Sequence, residues 1–263
     1  MARFVLSSLV CLLLASMTFG QSVPTSDPQA LVLASESVAA LTAGNAVADA
    51  TVTANVTRFA GSDTETGTVV MQARAPSQSR LDFTLSDGAR SEIRDSSTGG
   101  PLGAWIDSKA TATRYATQNC WTEPVWFFPA LSFLSFANNP TLVLSYVGKE
   151  TWNGLSVQHL HAFWVEPKGM TSKLFDVQRF SAADVYLDAV TLLPDALTFK
   201  AHPDNGADVD IPIEVRFGDY RLVSGVQVPF RIQKLLNGTL LLDLTGTTAV
   251  INSGIPSSTF SIQ

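Results

Sequence analysis

The sequence predicts a mainly β (α+β) protein built as a single large curved antiparallel sheet or unclosed β-barrel, with an N-terminal helix and a short apolar helical lid. Three observations predict it. Apolar residues recur at helical spacing once, near the N-terminus, and at a spacing of two from about residue 46 onward. Dipeptides that suit tight hairpins punctuate the chain, which makes consecutive strands antiparallel neighbours. One aromatic segment, residues 120–136, follows neither period.

The chain opens on Arg3, an uncharged apolar stretch from Phe4 to Phe19, and then Gly20 and Gln21. That order is the basic, apolar and small-residue sequence of a cleavable export signal. We expect residues 1–20 to be a signal peptide cut near Gly20, and residues 21–263 to form one domain that works in the periplasm or outside the cell. Cys11 lies inside the apolar stretch and Gln21 takes the first mature position, so the sequence has no lipid-attachment box. No stretch reaches the roughly 20 apolar residues that a spanning helix needs, so no transmembrane anchor is expected.

Asp27 as N-cap and Pro28 in the first turn start an amphipathic helix that ends before Gly44, with Leu31, Ala34, Val38 and Leu41 as its buried stripe. Strands follow. Val52, Ala54 and Val56 alternate with Thr and Asn, and Leu81, Phe83 and Leu85 alternate with Asp82 and Thr84. Turn signals stand at Asp87-Gly88, Gly99-Gly100-Pro101, Asn153-Gly154, Asn205-Gly206 and Asn237-Gly238. The last third reads as a three-strand meander, with apolar rows at Ile213, Val215, Phe217, then Val226 to Ile232, then Leu240, Leu242 and Leu244.

The segment Cys120–Phe136 carries Pro124 and Pro129, which forbid one regular helix or a central strand. It reads as one or two short helices across the concave side of the sheet, apolar nearly all round because they are sandwiched. Trp121, Trp126, Phe127, Phe128, Phe133 and Phe136 are the candidate cavity wall. An ordinary core plug with no cavity beneath it is the equal alternative. Insertion into a membrane interface is a third, but the segment lacks the cationic face such helices carry.

Composition narrows the chemistry. The chain is 46% hydrophobic and 15% charged, with net charge −6, and loss of Arg3 with the leader takes it to −7. Such an acidic, low-charge surface argues against nucleic acid or anionic lipid as an electrostatic partner. Cys120 is the one cysteine outside the leader, so no internal disulfide forms, and a core position beside Trp121 is expected. His159 and His161 stand two apart on a strand, hence on one face, which makes them weak metal candidates; His202 and Asp204 could add ligands only if the fold brings them close. Asp82, Glu92, Glu214 and Asp219 alternate with apolar residues and are assigned to wet strand faces. No nucleophile elbow, phosphate loop, dinucleotide fingerprint or metal cluster occurs, so no cofactor and no catalytic residue is assigned.

The run Phe217-Gly218-Asp219-Tyr220-Arg221, then Val223 through Ile232 with Ser224-Gly225 and Pro229-Phe230, then Asn237-Gly238 and Gly254-Ile255-Pro256 to Ile262, resembles the end of the periplasmic lipoprotein-carrier superfamily. This is the LolA and LolB type, related to the sensor domain of RseB. The order of parts over residues 28–263 agrees, while the specific echo covers 217–262. The resemblance implies an unclosed barrel capped by helices, with a cavity that holds acyl chains. It implies as partners an apolar ligand or lipoprotein acyl chains, and an envelope protein of unknown identity. The arginine with which such carriers hold the lid has no match in the motifs. Three functions stay open: a non-enzymatic carrier or sensor, an envelope scaffold whose own aromatics fill its interior, and a hydrolase with dispersed catalytic residues.

Overall fold

A computed structural model describes residues 24–75, 77–96, 100–165 and 174–262. The expected signal peptide, and Gly99 of one predicted turn, lie outside them.

Helix α1 (Pro28–Thr42) starts where capping chemistry places it: the Asp27 carboxylate accepts from the Gln29 N–H at 2.8 Å, and Pro28 supplies a preset first turn. It stops where Ala43 and Gly44 take positive φ. Its buried face is Ala30, Leu33, Ala34, Ser37 and Leu41, with Leu31 and Val38 only partly covered. The buried stripe is therefore turned from the expected one. The helix is wedged between the sheet and the 133–136 turn, and small residues on that face permit the close approach.

The described strands form one 13-stranded antiparallel sheet. From the centre to one edge run β1 (Asp49–Ala60), β2 (Asp63–Arg74), β3 (Gln78–Leu85), β4 (Gly88–Asp95), β5 (Leu102–Ile106) and β6 (Ala112–Arg114). From the opposite edge back to the centre run β7 (Leu142–Trp152), β8 (Leu155–Trp164), β9 (Ala183–Asp188), β10 (Pro194–Ala201), β11 (Ile211–Val223), β12 (Val226–Leu236) and β13 (Thr239–Ile251). β13 pairs with β1, from Ala50 opposite Ile251 to Arg58 opposite Leu242. The edges β6 and β7 do not pair, so the barrel is unclosed, and they are consecutive in the chain. The connection between them, which holds α2 (Thr117–Cys120) and 3₁₀ turns at Pro129–Leu131 and Phe133–Phe136, crosses the opening. Helix α3 (Leu174–Ser181) packs on β8 and β10.

Asn153-Gly154, Ser224-Gly225 and Asn237-Gly238 form hairpins with positive φ at both residues, the conformation that matches strand twist. Asn205-Gly206 instead lies in a longer loop folded round the buried His202 ring, whose Nδ1–H donates to the Val209 carbonyl at 2.9 Å. At Gly67 two strands come unusually close. A Cβ there would lie 1.9 Å from the backbone oxygen of Thr84 on β3, so only glycine lets these strands approach.

Directly paired residues share a face, which sorts the sheet. The inner face carries the main core: Val52, Ala54 and Val56 of β1, Val69 and Met71 of β2, Leu160 of β8 and Val228 of β12, packed under α1 and the crossing segment. On the outer face the C-terminal tail lays Ile255 and Phe260 over Ile93. The Asp49 carboxylate fixes that tail by accepting from the Ser253 and Gly254 N–H groups at 2.7 and 3.0 Å.

Candidate functional site

The crossing segment is broken where its prolines fall, into a single α turn and two 3₁₀ turns, so the expected short helices are present but brief. Trp126, Phe127, Phe128 and Phe133 are buried, while Trp121 and Phe136 are half-buried. Trp126 and Phe127 meet edge to face at 5.7 Å, and Phe136 leans on Trp164 of β8 at 6.2 Å.

Polar groups from two strands and a loop hold this segment down. Arg94 of β4, 4% exposed, donates from Nη2 to the carbonyl oxygens of Cys120 at 2.9 Å and Thr122 at 3.0 Å, and from both Nη atoms to the Thr122 hydroxyl at 3.2 Å. The Ser79 hydroxyl of β3 donates to the Pro124 carbonyl at 2.6 Å. Asn119 exchanges two hydrogen bonds with the His202 backbone, and Gln118 donates to the Pro203 carbonyl. Within the segment the buried Glu123 carboxylate accepts from the Val125 and Phe133 N–H groups at 2.9 and 3.0 Å. Burial pushes the Glu123 pKa up to about 7, against the pull of those two donors.

Among the described residues, cavities lie against and beside the segment, and three are large enough to matter. One of about 590 Å³ opens on the inner face beyond it and is walled by Phe83, Leu85, Trp105 and Leu242, with Arg58, Arg90 and Lys234 among its polar groups. A second, about 210 Å³, lies beneath the segment among Glu92, Arg94, Tyr115, Trp126 and Lys234. The third, about 340 Å³, lies on the other side, against Cys120, Trp121, Phe133, Phe136 and Trp164. Trp121, Phe133 and Phe136 thus wall one cavity and Trp126 another, whereas Phe127 and Phe128 belong to the packing between them.

Burial dictates the state of the charges here. The Lys234 ammonium stands 4.1 Å over the Trp126 ring, and desolvation lowers its pKa although Glu92 opposes the shift. Arg58 and Arg90 both bond Glu65, at 3.1 and 3.2 Å, and Arg90 also bonds Asp87. Desolvation raises the Tyr115 pKa well above the usual phenol range. Glu92 corrects the sequence assignment. It pairs in register with Leu81 and Trp105 and lines the first two cavities, because β4 is covered on both faces and its charged row is the inner one. Asp82 and Glu214 do lie on the outer face, each paired with an arginine, and Asp219 is paired with Arg221 near the end of β11.

His159 and His161 share the outer face, as the spacing requires. Both turn a nitrogen to the same atom, Asp184 Oδ1, at 3.0 and 2.8 Å, and the other His159 nitrogen faces Glu150 at 2.7 Å. The carboxylates accept from these rings, whose nitrogens do not converge on a shared empty point, and among the described residues no group of His, Cys, Asp and Glu is placed to hold a metal. His202 sits elsewhere, against Phe180. Cys120 is buried as expected, and burial pushes its thiol pKa up despite the nearby Arg94, which leaves it a poor nucleophile. Neither histidine of the strand pair lines any of these three cavities.

Among the described residues no helix is long and apolar enough to cross a membrane. No protein-family model matches the sequence, and no curated protein does either. Solved structures match the fold. A domain assigned as an outer membrane lipoprotein-sorting protein, from Vibrio parahaemolyticus, has a TM-score of 0.56 at 12% identity, over 88% of this chain and 96% of that one. A DUF1329 family protein from Desulfovibrio piger has 0.53 at 11%, over 89% and 96%. A LolA superfamily protein from Nitrosomonas europaea has 0.50 at 10%, over 92% and 99%. At such identities the shared property is the fold, and the resemblance in the sequence holds at that level.

Proposed function

We propose that this protein binds the acyl chain of a lipid or lipoprotein on the inner face of its sheet, in the cavity that opens beside the crossing segment, as a carrier or sensor outside the cytoplasm, with no covalent chemistry. The observation that carries the reading is the cavity of about 590 Å³ with walls of Phe83, Leu85, Trp105 and Leu242, inside the size range of ligand sites. Ten methylenes buried there would contribute about 8 kcal/mol, enough for micromolar binding before association costs. Two further supports are the fold shared with a lipoprotein-sorting domain and a LolA superfamily protein, and the interrupted segment held by hydrogen bonds rather than by regular helix. In this reading Arg94 does what the lid arginine of the carriers does. The export signal supplies the location, and N-terminal sequencing of the secreted protein should find Gln21 first.

Native mass spectrometry after gentle purification, followed by titration with a fluorescent fatty acid, tests the reading. Co-purified lipid or saturable uptake supports it. A protein that emerges empty and takes up nothing overturns it in favour of an envelope scaffold with a self-filled interior, the reading that the complete burial of Phe127 and Phe128 favours.

A further inference from the structure

The inner face carries four cations near the cavities, and three of them are engaged. Arg58 and Arg90 bond Glu65, and Arg94 bonds the crossing segment. Lys234 is different. It continues the apolar row Val228, Phe230, Ile232 of β12, opposite Val215 of β11 and Leu242 of β13, so the strand period turns its side chain inward. It makes no hydrogen bond or ion pair with any described residue, and its ammonium stands 4.1 Å over the Trp126 ring. Glu92 shares both cavities with it, outside ion-pair distance. A half-buried ammonium that faces a cavity with no acceptor gains from a partner that completes it. Lys234 also lines both the apolar cavity of about 590 Å³ and the smaller, more polar one of about 210 Å³.

From this placement we propose that the ligand is a single acyl chain ending in an anionic head, with Lys234 as the residue that recognises the head. The proposal rests on the apolar-ligand reading above and refines it. The tail lies along Phe83, Leu85 and Trp105, and the carboxylate or phosphate head reaches Lys234, with Trp126 bracing the ammonium from the other side.

The test compares palmitate, hexadecanol and acetate by calorimetry on the wild-type protein and on Lys234→Met. Wild type should bind palmitate about tenfold or more tightly than hexadecanol, the scale of one charge-assisted hydrogen bond, and should not bind acetate measurably. Lys234→Met should bind hexadecanol as wild type does and lose the preference. Equal wild-type affinity for acid and alcohol overturns the proposal while leaving the apolar cavity in place. An equal loss of both ligands in Lys234→Met overturns it too. If neither amphiphile binds, the apolar-ligand reading itself fails and this proposal falls with it. The wild-type comparison decides even if the variant folds poorly.

Discussion

The guanidinium of Arg94 grips Thr122 twice, donating to its carbonyl oxygen at 3.0 Å and to its hydroxyl oxygen at 3.2 Å. Arg94→Met keeps much of the side-chain length and removes every one of these bonds, together with that to Cys120. Hydrogen bonds from a charged donor contribute about 1.5–3 kcal/mol each and are not additive, so a loss of roughly 2–4 kcal/mol in urea unfolding is expected. A fluorescent fatty acid should also leave the variant faster. An unchanged off-rate in a destabilised variant would show that Arg94 is only structural.

Glu123 makes stability depend on pH in a direction of its own. Its pKa is raised to about 7 in the folded chain. Below about pH 4.5 both folded and unfolded forms hold the proton. Between there and pH 7 only the folded form does, so stability falls as pH rises through that window and levels off above it, by on the order of 3 kcal/mol at most. Carboxylates whose pKa is lowered, such as Asp184 held by His161 and His159 against its burial, act oppositely, losing their contribution as pH falls. The difference between wild type and Glu123→Gln in urea midpoints at pH 4, 5.5 and 7.5 isolates the effect: the variant should lose less stability from pH 4 to 7.5.

Phe128 and Phe136 differ in role although both lie in the crossing segment. Phe128 is 0% exposed and packed in the core, so Phe128→Ala should cost about 3–5 kcal/mol. Phe136 is half-buried on the wall of the 340 Å³ cavity. Its replacement by Ala should cost roughly 1–2 kcal/mol and enlarge that space, which thermal melts would register.

Gly67→Ala should be among the most damaging small substitutions, since its methyl would meet the Thr84 carbonyl and not a yielding side chain. A loss of about 3 kcal/mol or more in chemical unfolding is expected. A fully stable variant would mean that the coiling of β2 against β3 is looser than the backbone geometry implies.

Much of the fold was legible because its rules are local. The helix boundaries followed from Asp27, Pro28 and Gly44, and two hairpins from Asn153-Gly154 and Asn237-Gly238. The antiparallel meander followed from rows such as Val226, Val228, Phe230 and Ile232. The site was less legible because it is made of inner-face charges. In β4 the residues Arg90, Glu92 and Arg94 alternate with Ser91 and Ile93, and period two alone assigns the charges to water. Both faces of that strand are covered, one by the crossing segment and the other by the tail carrying Phe260, a long-range circumstance that no local pattern encodes. Lys234 did leave a signal, as a cation continuing an otherwise apolar row. Arg94 left none.

The pairing of β1 with β13 joins residues about two hundred positions apart at the centre of the sheet, whereas most other strand pairs are close in sequence. The protein therefore consists of two arms, 49–114 and 142–251, each made of near-neighbour contacts that are cheap in loop entropy, and one distant seam. Folding order follows from this. Each arm is able to zip from its own turns, while the seam waits for the last strand. A single protease cut between Tyr115 and Thr141 would accordingly leave two fragments that co-purify, held along the seam.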